Sequence, residues 1–363
     1  MIIGVTGYGG SGASACIALI KEFDNVQFYR DSTEFQILQQ PDGITDLRYN
    51  LVESRRRISI NTAIIRFKKM ISNKRSDRLS SQTHNQFKKI SLEYISSLAR
   101  ITWIGKSTYD PQDLLGLLDG PLFKYPNALI RRLIWLFKSE REWPPSNRRY
   151  YTSLSETDFV NYTKKYLNNI FKASGFDTNR PILLEQLFSL ENPTGGFDYF
   201  DDNVRSIIID RDPRDFYTLV SLYWSKSSTG YMPNNNNVKD FVEYYKGLHH
   251  YISSDSRVLY LRFEDLIYQY DETVRQLETY LGIRHVSKGT FFKPELSINN
   301  TKIYQLHPEL ADDIAYIENN LNDYLYDFEK YEDSLGFHKG ITGVFDDKPN
   351  DLDSLKKRKR IKN

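Results

Sequence analysis

The chain holds a single cysteine, Cys16, among 363 residues. One thiol forms no intrachain disulfide and builds no thiolate zinc site. Cys16 follows a glycine loop on an apolar helix face, which predicts a small core residue. No stretch approaches eighteen uncharged apolar residues, so no membrane span is expected. Met1-Ile2-Ile3-Gly4-Val5 runs straight into an apolar strand, without the basic start of a secretory leader. These absences predict a cytoplasmic protein in a reducing compartment. There is no fixed-period repeat, which removes solenoids and propellers.

What is present is ordinary in bulk and uneven in place. Hydrophobic residues make up 40% and charged residues 26%, the balance of a globular protein with a sizeable core. Aromatics reach 14%, with 26 Tyr and 21 Phe, whose faces stack on sugars and bases or simply fill a core. The net charge is +2, yet residues 51–150 hold 20 Lys/Arg against 8 Asp/Glu, a local +12 that leaves −10 on the rest. Such a block is either a set of solvated basic helix faces or a surface for an anionic partner.

Patterning predicts an α/β fold. Residues 2–6 and 26–29 read as buried strands, with a helix over 13–22 between them. Residues 50–172 read as helical and irregular. Amphipathic stretches run over 51–70 and 87–103, a polar loop or hairpin tip over 73–85, and a breaker at Trp143-Pro144-Pro145-Ser146. Strand patterns resume at 181–184, 204–209 and 258–261. Asp212-Pro213 reads as a helix start, with Asp at the cap and Pro at the first helical position. Asp271 is expected to cap a helix that Gly282 ends, and Pro308 to begin a last helix. The expected organisation is one domain over 1–345, a helical insertion over 50–175, and a polar basic tail over 346–363.

Two strings carry chemistry. Gly7-Tyr8-Gly9-Gly10-Ser11-Gly12-Ala13-Ser14 links the first strand to the first helix. Glycines let successive N–H groups converge, and the helix N-terminus adds partial positive charge. The result is a cradle for phosphate or sulfate, or else a tight turn with no ligand. Its spacing fits a P-loop except that Ala13 stands at the lysine position, which argues against ATP hydrolysis. The letters of a dinucleotide fingerprint also match, but the later segments do not support that reading. The second string is Ile207-Ile208-Ile209-Asp210-Arg211-Asp212-Pro213-Arg214-Asp215, a strand ending in two arginines at a helix start. Arginine forks grip phosphate bidentately, or they brace the turn through Arg–Asp pairs.

Together these strings resemble the PAPS-dependent sulfotransferase family, in family order. Gly9-Gly10-Ser11-Gly12-Ala13-Ser14 is similar to the family's loop around the 5′-phosphosulfate. Arg211-Asp212-Pro213-Arg214-Asp215 resembles the block that holds the 3′-phosphate. Tyr260-Leu261-Arg262-Phe263-Glu264-Asp265-Leu266, followed by Leu277-Glu278-Thr279-Tyr280-Leu281-Gly282, looks like the family's "YEDL … FLG" stretch. Ser297-Ile298-Asn299-Asn300-Thr301-Lys302-Ile303-Tyr304 is similar to the loop that closes over the nucleotide. The blocks cover about 100 residues. Gly10 stands where the family usually has Lys or Arg, Ala13 replaces a threonine, and Leu219 occupies a position usually held by serine.

The resemblance implies a P-loop-like parallel sheet and a metal-free, in-line sulfuryl transfer from PAPS to a hydroxyl or amine, with PAP as product. It implies donor contacts from Gly9, Gly10, Ser11, Gly12, Ala13, Ser14, Arg211, Asn300 and Lys302, with Ser221 as a stand-in for the family serine. The family's base is His or Glu. Glu185, at the end of the strand before the Arg211 block, is the expected base, or else an acid paired with Arg or Lys. Glu34 is second, and His84 and His307 third. The basic segment and Trp103, Trp135 and Trp143 suggest a glycan acceptor, possibly anionic. Two other readings stand: a non-catalytic nucleotide- or glycan-binding protein with this fold, and a nucleotide kinase in which Asp210 imitates the acid of a Walker B strand.

Overall fold

The computed structural model describes residues 1–30, 34–73, 77–104, 149–223 and 237–332. Trp135, Trp143, the breaker at 143–146 and the tail over 346–363 lie outside them. The chain divides into two compact units, one formed by 1–39 with 176–363 and the other by 40–175.

The first unit is a four-stranded parallel sheet flanked by helices. In chain order with the second unit's hairpin, its strands are β1 (Ile2–Thr6), β4 (Ile182–Glu185), β5 (Val204–Asp210) and β6 (Val258–Arg262). They lie in the order β4-β1-β5-β6. The chain leaves β1 toward one side to form β4, then crosses back to form β5 on the other. β1 is therefore the point where the winding reverses, and its carboxyl end opens the crevice where α/β ligands bind. The β1 side chains are buried throughout, which is why the strand reads as a continuous apolar run.

The helices of this unit are α1 (Ala13–Ile20), α7 (Pro213–Thr218), α8 (Val238–Leu248), α9 (Asp265–Tyr268), α10 (Tyr270–Leu281), α11 (Pro294–Ser297), α12 (Ala311–Asn320) and α13 (Phe328–Glu332). Alternation along the strands sorts the two sheet faces. Ile3, Val5, Ile207, Ile209 and Leu261 pack with α1 and with Leu277 and Leu281 of α10. Each fully buried aliphatic side chain there contributes roughly 1.5–3 kcal/mol. Cys16 lies in the same cluster, wholly buried, as a core residue. A second cluster joins Phe216, Val220, Phe241, Tyr245 and Ile317 from α7, α8 and α12 and the turn between.

The second unit holds α2 (Ile44–Arg48), α3 (Arg57–Met70), α4 (Asp77–Gln82), α5 (Phe87–Leu98) and α6 (Glu156–Ala173), with an antiparallel pair of β2 (Thr102–Ile104) and β3 (Arg149–Tyr151). Tyr94 and Tyr166 stack with centroids 4.3 Å apart, and their hydroxyls bond to Thr163 and Ser91. Much of the aromatic excess is spent on such packing. No helix among the described residues is long and apolar enough to cross a membrane.

Several local expectations change. Residues 26–29 form no full strand: Gln27 makes one isolated bridge to Ile182, and its side chain turns to Asp177. Asp271 lies in the first turn of α10 rather than at its cap, because α9 directly precedes it and Gln269 takes the cap position. Pro308 opens only a 3-10 turn, α12 starts at Ala311, and α13 follows. Helix α4 lies within the stretch read as a polar loop or helix hairpin tip, and α5 stops at Leu98 before β2. Two expectations hold in detail. Asp212 caps α7, with Pro213 at the first helical position, and Gly282 ends α10 with φ 68°.

A buried carboxylate fastens the far end of α1. Glu22 is wholly buried and accepts from the amides of Phe291 (2.7 Å), Phe292 (2.8 Å) and Gly289 (3.3 Å) and from His285 Nε2 (2.8 Å). Burial alone would raise its pKa, yet these donors bring it below the usual 4.5. The stabilisation is present above 4.5 and is lost as pH falls through the lowered value. Glu22→Gln is expected to lower the unfolding free energy by about 2–4 kcal/mol and to remove this acid-side loss. Urea titrations followed by circular dichroism between acidic and neutral pH check both.

Candidate functional site

The glycine loop is held in shape by close approach. A Cβ on Gly7 would lie 2.1 Å from Ser11 Oγ and 2.8 Å from the Ile209 carbonyl, and one on Gly12 would lie 2.4 Å from the Phe263 ring. Gly12 also has φ 95°, a region that side-chain-bearing residues rarely adopt. The Ser11 amide closes the turn onto Tyr8 O at 3.0 Å. Among the described residues, the N–H groups of Gly9, Gly10, Gly12, Ala13 and Ser14 make no hydrogen bond. Helix α1 has no capping side chain and no acid in its first turn. Its positive end is left free.

Arg211 comes to this loop from the end of β5. It is buried, with Nη1 donating to Gly10 O at 3.1 Å and Nη2 to Asn300 O. Its guanidinium lies 5.1 Å from the centre of the Phe263 ring. The loop at 300–304 is docked by Asp215, which accepts from Lys302 N at 2.8 Å and Tyr304 N at 3.3 Å. Lys302 takes φ 53°, and its ammonium lies over Phe328. The structure thus brings together Gly9, Gly10, Ser11, Arg211, Asn300 and the Lys302 backbone. Ser11 Oγ, Arg211 Nε and Asn300 Oδ1 are buried there without a partner. Ser221 sits half-buried in a π-helical turn beside Tyr217.

Arg214 has a different task. Its guanidinium forks onto Asp212 at 2.7 and 3.0 Å and also reaches Glu318 at 3.1 Å and Tyr326 O at 3.2 Å. That is a brace joining α7 to α12 and to the segment before α13. Glu264 accepts from Asp212 N at 2.9 Å and fixes the β6 exit to the β5 exit. Burial pushes the Glu264 carboxyl up to about 7 and Asp215 up to about 6, against the pull of Arg262 and Arg211 respectively.

Glu185 and Glu34 meet as partners in an isolated parallel bridge at the carboxyl edge of β4. Glu185 alternates with Leu184 and so shares the α1 face with Leu183. Its charge acts on Lys21, whose pKa burial lowers and Glu185 raises. Its neighbour Gln186 donates to Gly7 O at 2.8 Å and ties the loop to β4. His84 is exposed, with Nδ1 at 3.0 Å from Ala173 O, and His307 Nδ1 lies 3.0 Å from Glu309.

A second cluster was not anticipated in the sequence. Asp210 accepts from Tyr8 OH at 2.7 Å, Tyr245 OH at 3.0 Å and His249 Nε2 at 3.1 Å. Tyr8 OH also accepts from Arg211 N at 3.1 Å, and Tyr245 OH lies 2.7 Å from Arg211 O. These bonds fix the backbone of Arg211 from the face opposite its side chain. With three donors on its carboxylate, Asp210 is not arranged as a free Walker-type acid. His249 gave no sequence signal because it ends a helix 39 residues from its partner. No protein-family model matches the chain, and no curated protein matches it.

Burial opposes the charge on His249, but Asp210 outweighs it and raises the pKa above the usual 6.5. The stabilisation is complete below 6.5 and is lost as pH rises through the raised value. Asp215 and Glu264 act in the same direction, since the folded state holds their protons more tightly. Unfolding free energy is therefore expected to fall as pH rises from about 5 to 8, and His249→Gln to flatten the upper part of that fall. Chemical denaturation across this pH range is the check.

Proposed function

We propose that this chain is a sulfotransferase with a P-loop-like fold that moves a sulfuryl group from PAPS to a hydroxyl of a glycan-type acceptor. One observation carries the reading. Among the described residues, the glycine loop leaves the amides of Gly9, Gly10, Gly12, Ala13 and Ser14 without a hydrogen bond at the uncapped start of α1, with Arg211 held against it at Gly10 O. Unpaired amides at a helix N-terminus gain charge-assisted hydrogen bonds when an anion binds.

In this reading the amides of Gly9, Gly10, Gly12, Ala13 and Ser14 hold the 5′-phosphosulfate. Arg211, Asn300 and Lys302 hold the 3′-phosphate, and Arg211 supplies positive charge that the loop itself lacks. The acceptor oxygen attacks sulfur in line. An oxygen–sulfur bond forms, the bond from sulfur to the PAP phosphate breaks, and the acceptor proton passes to a base, assigned to Glu185 with Glu34 beside it. Unpaired amides aimed at the leaving oxygens supply the electrostatic stabilisation such a step needs. The local +12 over residues 51–150 supports an anionic glycan as acceptor.

A second reading, a nucleotide-binding protein without turnover, draws on the electrostatic pairing of Glu185 with Lys21. Thermal-shift comparison of PAP, PAPS, ATP and NAD separates the donor classes. Stabilisation by PAP and PAPS over ATP and NAD is expected, and its absence overturns the donor assignment. Arg211→Ala is expected to weaken PAP by tenfold or more, about 1.4 kcal/mol at least. Glu185→Gln is expected to abolish transfer from labelled PAPS while PAP binding persists. Unchanged turnover removes Glu185 as base, and absent turnover in the unaltered chain across a glycan panel favours the second reading.

A further inference from the structure

Asp210 and Arg262 end β5 and β6 in register, on the sheet face turned away from α1. With His249 from just beyond α8 they floor a pocket of about 320 Å³. That volume lies at the lower end of the range for small-molecule sites, about 300–1,000 Å³. The walls are apolar, with Leu190, Ile208, Leu248 and Ile252, and aromatic, with Tyr260 and Tyr324. Ile252 is 68% exposed at the rim.

The charge on the floor follows from hydrogen-bond geometry. His249 Nδ1 lies 2.8 Å from the Tyr245 carbonyl, and Nε2 lies 3.1 Å from an Asp210 carboxylate oxygen. Neither acceptor has a hydrogen to give, so both ring nitrogens carry one and the ring is a cation. Tyr245, Tyr324, Asp210 and Arg262 are the titratable and charged groups that face it. Asp210 is the one anion, and its oxygens already take three donors. Arg262 is the second cation. Its nearest carboxylate contacts are long, 3.7 Å from Nη1 to Asp210 and 3.6 Å from Nε to Glu264, and Nε and Nη2 make no hydrogen bond. Burial pushes the Glu264 carboxyl beside Arg262 up to about 7, so below that pH the floor has a surplus of one positive charge; Nε and Nη2 are enclosed, and the donor that Arg262 offers the pocket is Nη1.

We infer that this pocket binds a small aromatic carboxylate, with its ring between the apolar and tyrosine walls and its acid group on Arg262. A sugar acid fits less well. Each ring hydroxyl set against Leu190, Ile208, Leu248 or Ile252 would lose its water without a partner. A neutral ring leaves the arginine unpaired, and a dianion exceeds the surplus. The site's test needs no nucleotide, so it stands or falls apart from the sulfotransferase reading.

The test is a calorimetric titration of the full chain with benzoate, benzamide and glucuronate. Saturable binding of benzoate is expected, with benzamide and glucuronate each tenfold weaker or more. Arg262→Gln is expected to weaken benzoate by tenfold or more. Because Arg262 is largely buried, Ile252→Glu at the exposed rim provides the second variant, expected to weaken benzoate several-fold with an unchanged circular dichroism spectrum. Equal binding of benzamide, tighter binding of glucuronate, no benzoate binding at about 10 mM, or full binding by a folded Ile252→Glu variant overturns the proposal.

Discussion

The carboxylate of Asp212 is the constraint on which the first unit's chemistry depends. It caps α7, accepts the fork of Arg214 and takes the Tyr326 amide at 2.9 Å, while its own amide is held by Glu264. Three segments, at 212–214, 264 and 326, are thereby fixed together at the end of β5. A buried carboxylate survives only where its charge is answered by several donors, and here the donors are the fold itself. Arg211, one residue earlier, leaves β5 beside this anchor, its backbone held by Tyr8 and Tyr245 and its side chain by Gly10 O and Asn300 O.

From this anchor the two arginines of one short string take opposite tasks. Arg214 turns outward along α7 to Glu318 and Tyr326 O and becomes structure. Arg211 turns inward to Gly10 O and Asn300 O. Asp215 then docks the 300–304 loop, so the glycine loop, the β5 exit and that loop share one buried polar patch. On the other sheet face, Asp210, Tyr8, Tyr245 and His249 secure the Arg211 backbone. The glycine loop with Arg211 on one side and the Asp210–His249 pair on the other are thus two faces of the same strand end.

Much of the fold was legible in the sequence. The apolar runs at 2–6, 181–184 and 204–209 mark strands buried along most of their length, and the run at 258–261 marks an edge strand that is only partly covered. The Asp212-Pro213 start and the Gly282 stop were legible because caps are local chemistry. The 26–29 stretch was misread because pattern reports burial, not pairing, and its one bridge lies at the sheet edge. Asp271 was misread because a preceding turn, not its own side chain, set the helix start.

The candidate site divides along the same line. The sequence by itself determined the glycine loop, its place after β1 and its lack of a lysine, since glycine spacing and strand pattern are one-dimensional facts. It also marked Arg211 and the 300–302 segment as polar groups near strand and helix ends. Only the tertiary structure decided which arginine meets the loop, that Glu34 and Glu185 are bridge partners, and that His249 completes a pocket with Asp210 and Arg262. The physical reason is range. Backbone conformation and capping depend on neighbours a few residues away, whereas burial and charge pairing depend on which distant strands the sheet order sets side by side.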